Sequence, residues 1–386
     1  MDLNFDDATR DFQAEVRGFL AANKESFPTK SYDTAEGFAQ HRRWDKVLFD
    51  AGLSVIAWPE RYGGREATLL QWVVYEEEYF RAGAPGRASA NGTSMLAPTL
   101  FAHGTEEQLD RVLPKMASGE EIWAQAWSEP ESGSDLASLR STATKTDGGW
   151  LLNGQKIWSS RAPFGDRAFG LFRSDPQAER HRGITYFMFD LKADGITVRP
   201  IAQLGGDTGF GEIFLDDVFV PDHDVIGEVH EGWRAAMSTS SNERGMSLRS
   251  PARFLAPAER LVAQWKANSD PAFADRVADA WIKAQAYRLH TFGTVTRLAG
   301  GGELGAESSV TKVFWSDLDV ALHQTALDMR GADGELADSP AREADNYNWT
   351  DGLMFALGGP IYAGTNEIQR NIIAERLLGL PREKAK

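Results

Sequence analysis

The sequence predicts an α+β fold in which a small β domain lies between two helical domains. Near the N-terminus, Phe12, Val16, Phe19 and Leu20 recur at helical spacing and would share one face of an amphipathic helix. Between residues 122 and 230 the chain becomes a series of short aromatic and β-branched segments separated by Gly, Asp and Pro. Long helical patterns return from residue 231. We therefore predict an N-terminal helical domain over 1–121, a central β domain over 122–230 and a C-terminal helical domain over 231–386.

Individual segments support each domain in turn. The stretch "LLQWVVYEEEYFRAGAP" has a helical pattern and ends at a Gly-Ala-Pro stop. In the central part, "GITYFMFDL" and "EIFLDDVFVP" have the composition of strands bounded by turns. In the last part, "DRVADAWIKAQAYRLHTFGTVTRLAG" is long enough for a helix that crosses a whole domain.

Composition excludes several classes of function. The chain has 386 residues, 42% of them hydrophobic, which is enough for two or three domains with real cores. It has no cysteine, which excludes disulfides, thiolate metal sites and a cysteine nucleophile and fits a cytoplasmic enzyme. A net charge of −15 disfavours nucleic acid as a partner, because the phosphate backbone would be repelled. No apolar run suggests a membrane span or a secretory signal.

Two segments have the composition of a polar ligand site. "AQAWSEPESGSDLASLRS", residues 124–141, offers serine hydroxyls and backbone N–H groups at short range, although an ordinary surface turn has the same composition. "NGQKIWSS", residues 153–160, leads from an Asn-Gly turn into a strand that ends with Trp158. That indole could form a wall for a flat ring, but a buried core tryptophan is the more common fate.

Taken together and in order, five segments resemble the acyl-CoA dehydrogenase family over nearly the full chain. They are "WPERYGGREATLLQWVVYEEEYFRAGAP", "GTEEQLDRVLPKMASGE", "SEPESGSDLASL", "NGQKIWSS" and "YAGTNEIQR". The resemblance implies an N-terminal helical domain, a central β domain and a C-terminal four-helix bundle. It also implies bound FAD and α,β-dehydrogenation of an acyl-CoA thioester to a trans-2-enoyl-CoA.

The resemblance carries family roles onto matching positions. The residues expected to contact the cofactor are Trp127, Ser128, Gly133, Ser134, Trp158, Ser159, Ser160, Gly364, Thr365, Asn366 and Glu367. Ser134 is also expected to contact the substrate, and Arg244 to shape the acyl-CoA pocket.

The catalytic base is the one role that the C-terminal loop does not fill. Ala363 stands where many family members carry a glutamate, and an alanine cannot remove a proton. In the isovaleryl-type branch the base precedes an arginine on a helix of the last domain, and Glu243-Arg244 in "STSSNERGMSL" matches that pair. We therefore expect Glu243 to take the Cα proton while a hydride leaves Cβ for flavin N5. The backbone N–H of Ala363 is expected to donate to the thioester oxygen. Without the resemblance, Glu243 beside Arg244 would be interpreted as an ion pair or a solvated helix residue.

Other cofactors are disfavoured. The seven histidines show no metal-ligand spacing on one helix turn, so no metal is expected. "LGGDTGFGE" contains glycines but no helix is expected after it, which disfavours a nicotinamide site.

One departure from the family concerns assembly. Homotetrameric members carry an Arg-x-x-Phe-Gly element that reaches a neighbour's FAD, and the corresponding "QWKANSDPAFADRVADAW" lacks it. The chain could form a homotetramer in which another group holds the adenine half, or a heterotetramer in which a related subunit supplies it, as in members that act on steroid side-chain CoA esters. Two further alternatives are a non-catalytic subunit of such a heteromer and an oxidase on the same scaffold. The family implies an electron-transfer flavoprotein as acceptor.

Overall fold

The computed structural model describes residues 5–244, 250–302, 304–335 and 348–382, with the backbone alone for 241–244. Its internal contacts define two compact units. The helical unit comprises Met1–Thr29, Ala67–Pro85 and Arg244–Lys386, and the sheet unit comprises Lys30–Glu66 and Gly86–Glu243. Because these units interleave along the chain, the three consecutive domains with boundaries at 121/122 and 230/231 stay a prediction.

The described residues form eleven α-helices. In chain order they are α1 (Asp7–Ala22), α2 (Ala35–Asp50), α3 (Leu69–Arg81), α4 (Ala97–His103), α5 (Glu106–Ala117), α6 (Gly232–Arg244), α7 (Ala252–Asn268), α8 (Ala274–Ala299), α9 (Ser308–Asp328), α10 (Trp349–Ala356) and α11 (Asn366–Ile372).

Eight strands lie between α5 and α6. They are β1 (Trp123–Ala126), β2 (Thr142–Thr146), β3 (Gly149–Ser160), β4 (Arg167–Arg173), β5 (Ile184–Asp190), β6 (Ile196–Ile201), β7 (Phe210–Pro221) and β8 (Val225–Ile226).

The first helix forms where its apolar periodicity predicts it. Phe12, Val16 and Leu20 are buried on one face of α1, and Phe19 is half-buried beside them. The helix begins where the Asp6 carboxylate accepts the backbone N–H of Thr9 at 2.8 Å, which satisfies one of the donors that a helix start leaves free.

Two later helices begin with reciprocal capping. At the start of α3, the Thr68 hydroxyl and the Gln71 side chain each accept a backbone N–H from the other residue, and Thr105 and Gln108 do the same for α5. These caps fix where the chain enters each helix.

The sheet unit is built on one mostly antiparallel sheet with strand order β6-β7-β3-β2-β4-β5-β8, and β1 pairs in parallel with β4. Its core is aromatic. The Phe187 ring meets the rings of Trp150 and Phe172 edge-on, with centroids 5.6 and 5.9 Å away. Such edge-to-face contacts add to the stabilisation from burial. This core supports β3, which carries one of the candidate site segments.

The helical unit has its own aromatic core, formed by residues of α7, α8 and α9. The Phe254 ring stacks on Trp315 at 5.9 Å and lies 5.6 Å from the ring of Tyr287. Tyr362, on the loop before α11, also stacks on the Trp315 ring, with the two centroids 6.0 Å apart. This contact fixes the start of the candidate C-terminal loop against α9. No helix in the described part of the chain is both long and apolar enough to cross a membrane.

We predict that Phe187→Ala lowers the free energy of unfolding by about 3–5 kcal/mol, because the fully buried ring leaves a cavity. Denaturant unfolding followed by circular dichroism measures the change. Phe219→Ala is the matched control on the same sheet, since that side chain is 51% exposed and its loss should cost far less. Equal losses for the two variants would contradict this account of the core.

Candidate functional site

A buried ion pair joins the two polar segments that the sequence singles out. The Lys156 ammonium on β3 lies 2.7 Å from a carboxylate oxygen of Glu129, and both side chains are buried. Lys156 also donates to the carbonyls of Leu171 at 2.7 Å and Trp127 at 3.4 Å. The Glu129 carboxylate also accepts the backbone N–H groups of Arg140 and Ser141, at 2.6 and 2.9 Å. All charges of the pair are therefore hydrogen-bonded, which is the condition under which a buried pair is tolerated.

The surroundings shift the pKa of both groups. Burial lowers the pKa of Lys156 to about 8, against the opposing attraction of Glu129. Burial also acts to raise the pKa of Glu129, but the Lys156 ammonium and the Arg140 N–H together hold that pKa below its ordinary value. The carboxylate therefore stays charged at neutral pH.

The loop that follows Trp127 is rigid at its base and open at its tip. The Ser128 carbonyl accepts the Ile157 N–H at 2.9 Å, and Glu129 and Ser132 exchange two backbone hydrogen bonds. Gly133 and Ser134 are exposed, and a Cβ added at Gly133 would meet no atom within 4 Å. The exposed tip thus leaves backbone groups and a hydroxyl accessible, and its role as a ligand loop stays a prediction.

Trp127 is linked to α6 through a chain of hydroxyl groups. Its indole N–H donates to the Tyr186 hydroxyl at 3.1 Å, and that hydroxyl lies 3.4 Å from the Thr239 hydroxyl on α6. Thr239 lies 2.7 Å from the hydroxyl of Thr99 on α4. Glu243 follows Thr239 by four residues, one helical turn further along α6. The side chains of Glu243 and Arg244 lie outside the described part of the structure, so their predicted roles stay predictions.

Trp158 is presented outward by a strained turn. The pairing of β3 with β7 shifts register between Lys156 and Ser159, and inside this bulge Trp158 has a φ of 56°. A positive φ is unusual for a bulky residue and marks a position that the surrounding structure imposes. The indole is 56% exposed and touches Phe210 edge-on at 6.1 Å. Trp158 is therefore not the core tryptophan that strand statistics favour.

The two serines after Trp158 differ in environment. Ser159 is fully buried, and its hydroxyl has no hydrogen-bond partner among the described residues. The Ser160 carbonyl accepts the side-chain amide of Asn91 at 3.2 Å. A buried hydroxyl without a partner next to an exposed aromatic ring fits a position that a polar ligand edge completes.

The C-terminal loop belongs to the helical unit and is shaped by its own hydrogen bonds. The Gln369 amide donates to the Ala363 carbonyl at 2.9 Å, and Thr365 caps α11 by accepting the Ile368 N–H at 3.3 Å. Ala363 has a φ of 56°, and within the described chain its backbone N–H has no acceptor. A donor held free by a strained backbone is suited to a ligand oxygen.

Asn366 and Glu367 sit differently on this loop. The Asn366 amide is buried, where its oxygen accepts from Lys312 at 2.8 Å and its nitrogen donates to Asp317 at 3.0 Å. The side chain of Asn366 therefore anchors the loop to α9. Glu367 is exposed, and backbone hydrogen bonding at the start of α11 lowers its pKa.

Two local features bear on cofactors other than flavin. "LGGDTGFGE" runs into strand β7 and not into a helix. Among the described residues, no group of three or more His, Asp or Glu side chains could hold a metal ion.

Comparison with known proteins decides the family. Models for the N-terminal, middle and C-terminal domains of acyl-CoA dehydrogenases match residues 6–120, 124–218 and 230–378. The chain belongs to the acyl-CoA dehydrogenase family. The family assignment, the α+β fold class and the classification as an oxidoreductase predicted from the sequence are thereby confirmed. Acyl-CoA dehydrogenases are flavoproteins.

Three relatives describe the neighbourhood within the family. The acyl-CoA dehydrogenase IpdE1 of Mycobacterium tuberculosis is 37% identical over 97% of this chain and 98% of that protein. A solved structure titled Tcur3481-Tcur3483 steroid ACAD is 27% identical with a TM-score of 0.87, covering 99% of this chain and 100% of that one. The ChsE4-ChsE5 complex from Mycobacterium tuberculosis is 25% identical with a TM-score of 0.84, over 99% and 100%.

Lys156 and Glu129 lie inside the quoted motifs, but no role was predicted for either residue from the sequence. A period of two along β3 places Lys156 on the same side as Trp150 and Leu152, both of which are buried. A lysine on the buried side of a strand needs a charged partner, so this parity is the signal that could have found the pair.

We predict that Lys156→Met destabilises the chain by about 3–5 kcal/mol, because it leaves the Glu129 carboxylate buried without its cation. Chemical denaturation measures the loss. Lys145→Met is the matched control, since the Lys145–Asp222 pair has a similar length of 2.6 Å but is half exposed. Its loss should cost less than about 1 kcal/mol. A Lys156→Met variant as stable as the control would contradict the role of the pair.

The lowered pKa of Lys156 predicts a pH dependence in the alkaline range. The folded pKa of about 8 lies below the ordinary value of 10.5, so the unfolded chain binds more protons between these two values. Stability contributed by this group must therefore rise with pH across that window. The difference in thermal midpoint between wild type and Lys156→Met should widen in favour of wild type from pH 8 to 10.5. A constant difference would show that Lys156 titrates normally.

Proposed function

We propose that this chain catalyses the FAD-dependent α,β-dehydrogenation of an acyl-CoA thioester to a trans-2-enoyl-CoA. The observation that carries the proposal is the exposed, strained Trp158, whose neighbour Ile157 donates its N–H to the Ser128 carbonyl at the base of the loop 128–135. A flat ring packed on this indole would bury apolar surface. The contacts it makes would offset the backbone strain at Trp158. Next to it, Ser159 supplies a buried hydroxyl that has no hydrogen-bond partner in the described part of the chain.

The residues present fit FAD. On the sheet unit, Trp127, Ser128, Gly133, Ser134 and the segment 158–160 would hold the cofactor. On the helical unit, the family resemblance assigns contacts to Gly364, Thr365, Asn366 and Glu367; for Asn366 this contact is limited to its backbone, because its amide is bound to α9. FAD, when bound, accepts the hydride that leaves the substrate Cβ.

The protein must make the Cα proton removable. We assign the stabilisation of the charge that develops on the thioester oxygen to the Ala363 N–H, which would donate to that oxygen from a backbone of positive φ. We assign the base to Glu243; the assignment is supported by the hydroxyl contacts of Thr239, which anchor α6 one turn earlier. Arg244 would contact the acyl-CoA. A carboxylate that reaches from α6 to take the Cα proton needs a raised pKa. Burial in a dry pocket raises the pKa of such a carboxylate.

We predict that Glu243→Gln lowers turnover by about 10²–10⁴-fold or more, because the amide cannot take the Cα proton. FAD content should be unchanged. Stopped-flow bleaching of the flavin band under anaerobic conditions measures the rate. Glu231→Gln, an exposed acid just before α6, is the control and should keep the wild-type rate. Wild-type bleaching by Glu243→Gln would exclude Glu243 as the base.

The experiment that tests the function itself is a visible spectrum of the full chain before and after anaerobic addition of a panel of acyl-CoA thioesters. A yellow protein whose flavin band bleaches supports the proposal, and the thioester that bleaches it gives the substrate class. A protein that binds FAD but bleaches with none of a panel that includes straight, branched and steroid thioesters would contradict it.

A second candidate is a subunit that shares its flavin with a related chain. Two observations favour it. The Arg-x-x-Phe-Gly element is absent from the corresponding segment of the sequence. The chain is also similar to two solved structures that each name two components, the Tcur3481-Tcur3483 steroid ACAD and the ChsE4-ChsE5 complex. In that case the chain purified alone would bind little FAD, and coexpression with its partner would restore it. The acceptor we propose for either case is an electron-transfer flavoprotein.

A further inference from the structure

The turn that carries Trp158 is held by residues to which the family resemblance assigns no role. We propose that Arg161 and Asp33 are positioning residues that keep the turn 158–161 in the shape that presents Trp158 to the flavin. This inference rests on the proposed function, because the flavin is the ligand that Trp158 would meet.

The Arg161 side chain is fixed at its charged end. Its guanidinium lies 2.8 Å from a carboxylate oxygen of Asp33, and these side chains are only 14% and 19% exposed. The same guanidinium lies over the Tyr32 ring, 3.5 Å from its centroid. An arginine that is paired and stacked at once has a single defined position.

The backbone of Arg161 is fixed as well. Its N–H donates to the Gly209 carbonyl at 2.8 Å, and its φ is 71°. Together with Trp158, it makes the turn strained at both ends. Two such residues persist only where surrounding contacts outweigh the strain, and the ion pair is one of these contacts.

The loop before β7 is shaped around the Asp33 carboxylate. A Cβ added at Gly209 would lie 1.8 Å from the carboxylate oxygen of Asp33, so only glycine permits this approach. The Asp33 carbonyl accepts from the backbone N–H and the hydroxyl of Thr208, both at 3.4 Å. Asp33 thus contacts both the turn and the loop opposite it.

The segment that carries Asp33 is anchored to α2. The two ring nitrogens of His41 lie 3.1 Å from the Lys30 carbonyl and 2.6 Å from the Gly86 carbonyl. The buried His41 ring also meets Tyr32 edge-on at 5.1 Å. The contacts therefore run without a break from the buried face of α2 to the turn of Trp158.

The test compares Arg161→Ala and Asp33→Ala with wild type in two measurements. In the flavin-free chain, hydrogen exchange followed by mass spectrometry should show faster exchange confined to peptides that cover 157–163 and 207–211. In the flavin-bound protein, FAD affinity should fall about tenfold or more and the flavin absorption bands should shift. The double variant should be no worse than the more severe single variant, because both single variants remove the Arg161–Asp33 ion pair.

Three further variants separate positioning from general destabilisation. Arg161→Lys keeps the charge and should recover part of the FAD affinity. Gly209→Ala should reproduce the effect of Asp33→Ala by displacing its carboxylate. Arg276→Ala removes a pair of equal length, 2.8 Å, in the helical unit and should change neither measurement. If Arg161→Ala does not fold, Arg161→Lys and Gly209→Ala carry the test.

The outcomes distinguish this inference from the proposed function. A wild-type chain that binds no FAD, alone or with a partner subunit, overturns the proposed function, and the exchange measurement still decides whether the turn is held by Arg161. Wild-type FAD binding together with unchanged exchange and unchanged affinity in Arg161→Ala and Asp33→Ala overturns the inference alone.

Discussion

A buried ion pair between Lys156 and Glu129 is the contact on which the sheet unit's candidate site depends. Lys156 lies two residues before Trp158, and Glu129 lies two residues after Trp127. The pair therefore fixes the spacing of two segments that are distant in sequence. Desolvating two charges is costly, and this cost is met because Glu129 also accepts two backbone N–H groups. As a result, the ligand-facing groups on the two segments are held in a defined position, because the residues next to them are joined by the ion pair.

Two strained backbone positions lie where the proposed chemistry needs a group held in a fixed direction. Trp158 and Ala363 both have positive φ, although neither is glycine, and each presents a group that is exposed or has no acceptor among the described residues. For Trp158 that group is an aromatic face, and for Ala363 it is a backbone donor. Strain at such positions fits pre-organisation, since a donor already aimed at the developing charge needs no reorganisation during the reaction. Around Trp158, the contacts of Arg161 supply stabilisation that offsets the backbone strain of the turn.

Sequence patterns predicted the fold class, because helical spacing and strand alternation are local properties, and the resemblance of five ordered motifs predicted the family. Phe12, Val16 and Leu20 lie on the buried face of α1 as their spacing indicates. The candidate site residues were predicted from the order of the motifs, but the contacts between these residues were not predicted. Strand statistics favoured a buried Trp158, whereas the bulge between β3 and β7 turns the indole outward. No local pattern indicates that Asp33 meets Arg161, because 128 residues separate them and the fold alone brings them together.

We propose that the exposed face of Trp158 forms one wall of a flavin site. A crystal structure of the protein with its flavin tests this proposal most directly. We expect the isoalloxazine to lie against the Trp158 indole, with Ser159 or Ser160 within hydrogen-bond distance of the ring and the Lys156–Glu129 pair unchanged. A flavin bound elsewhere, with the Trp158 indole still exposed, would contradict the account.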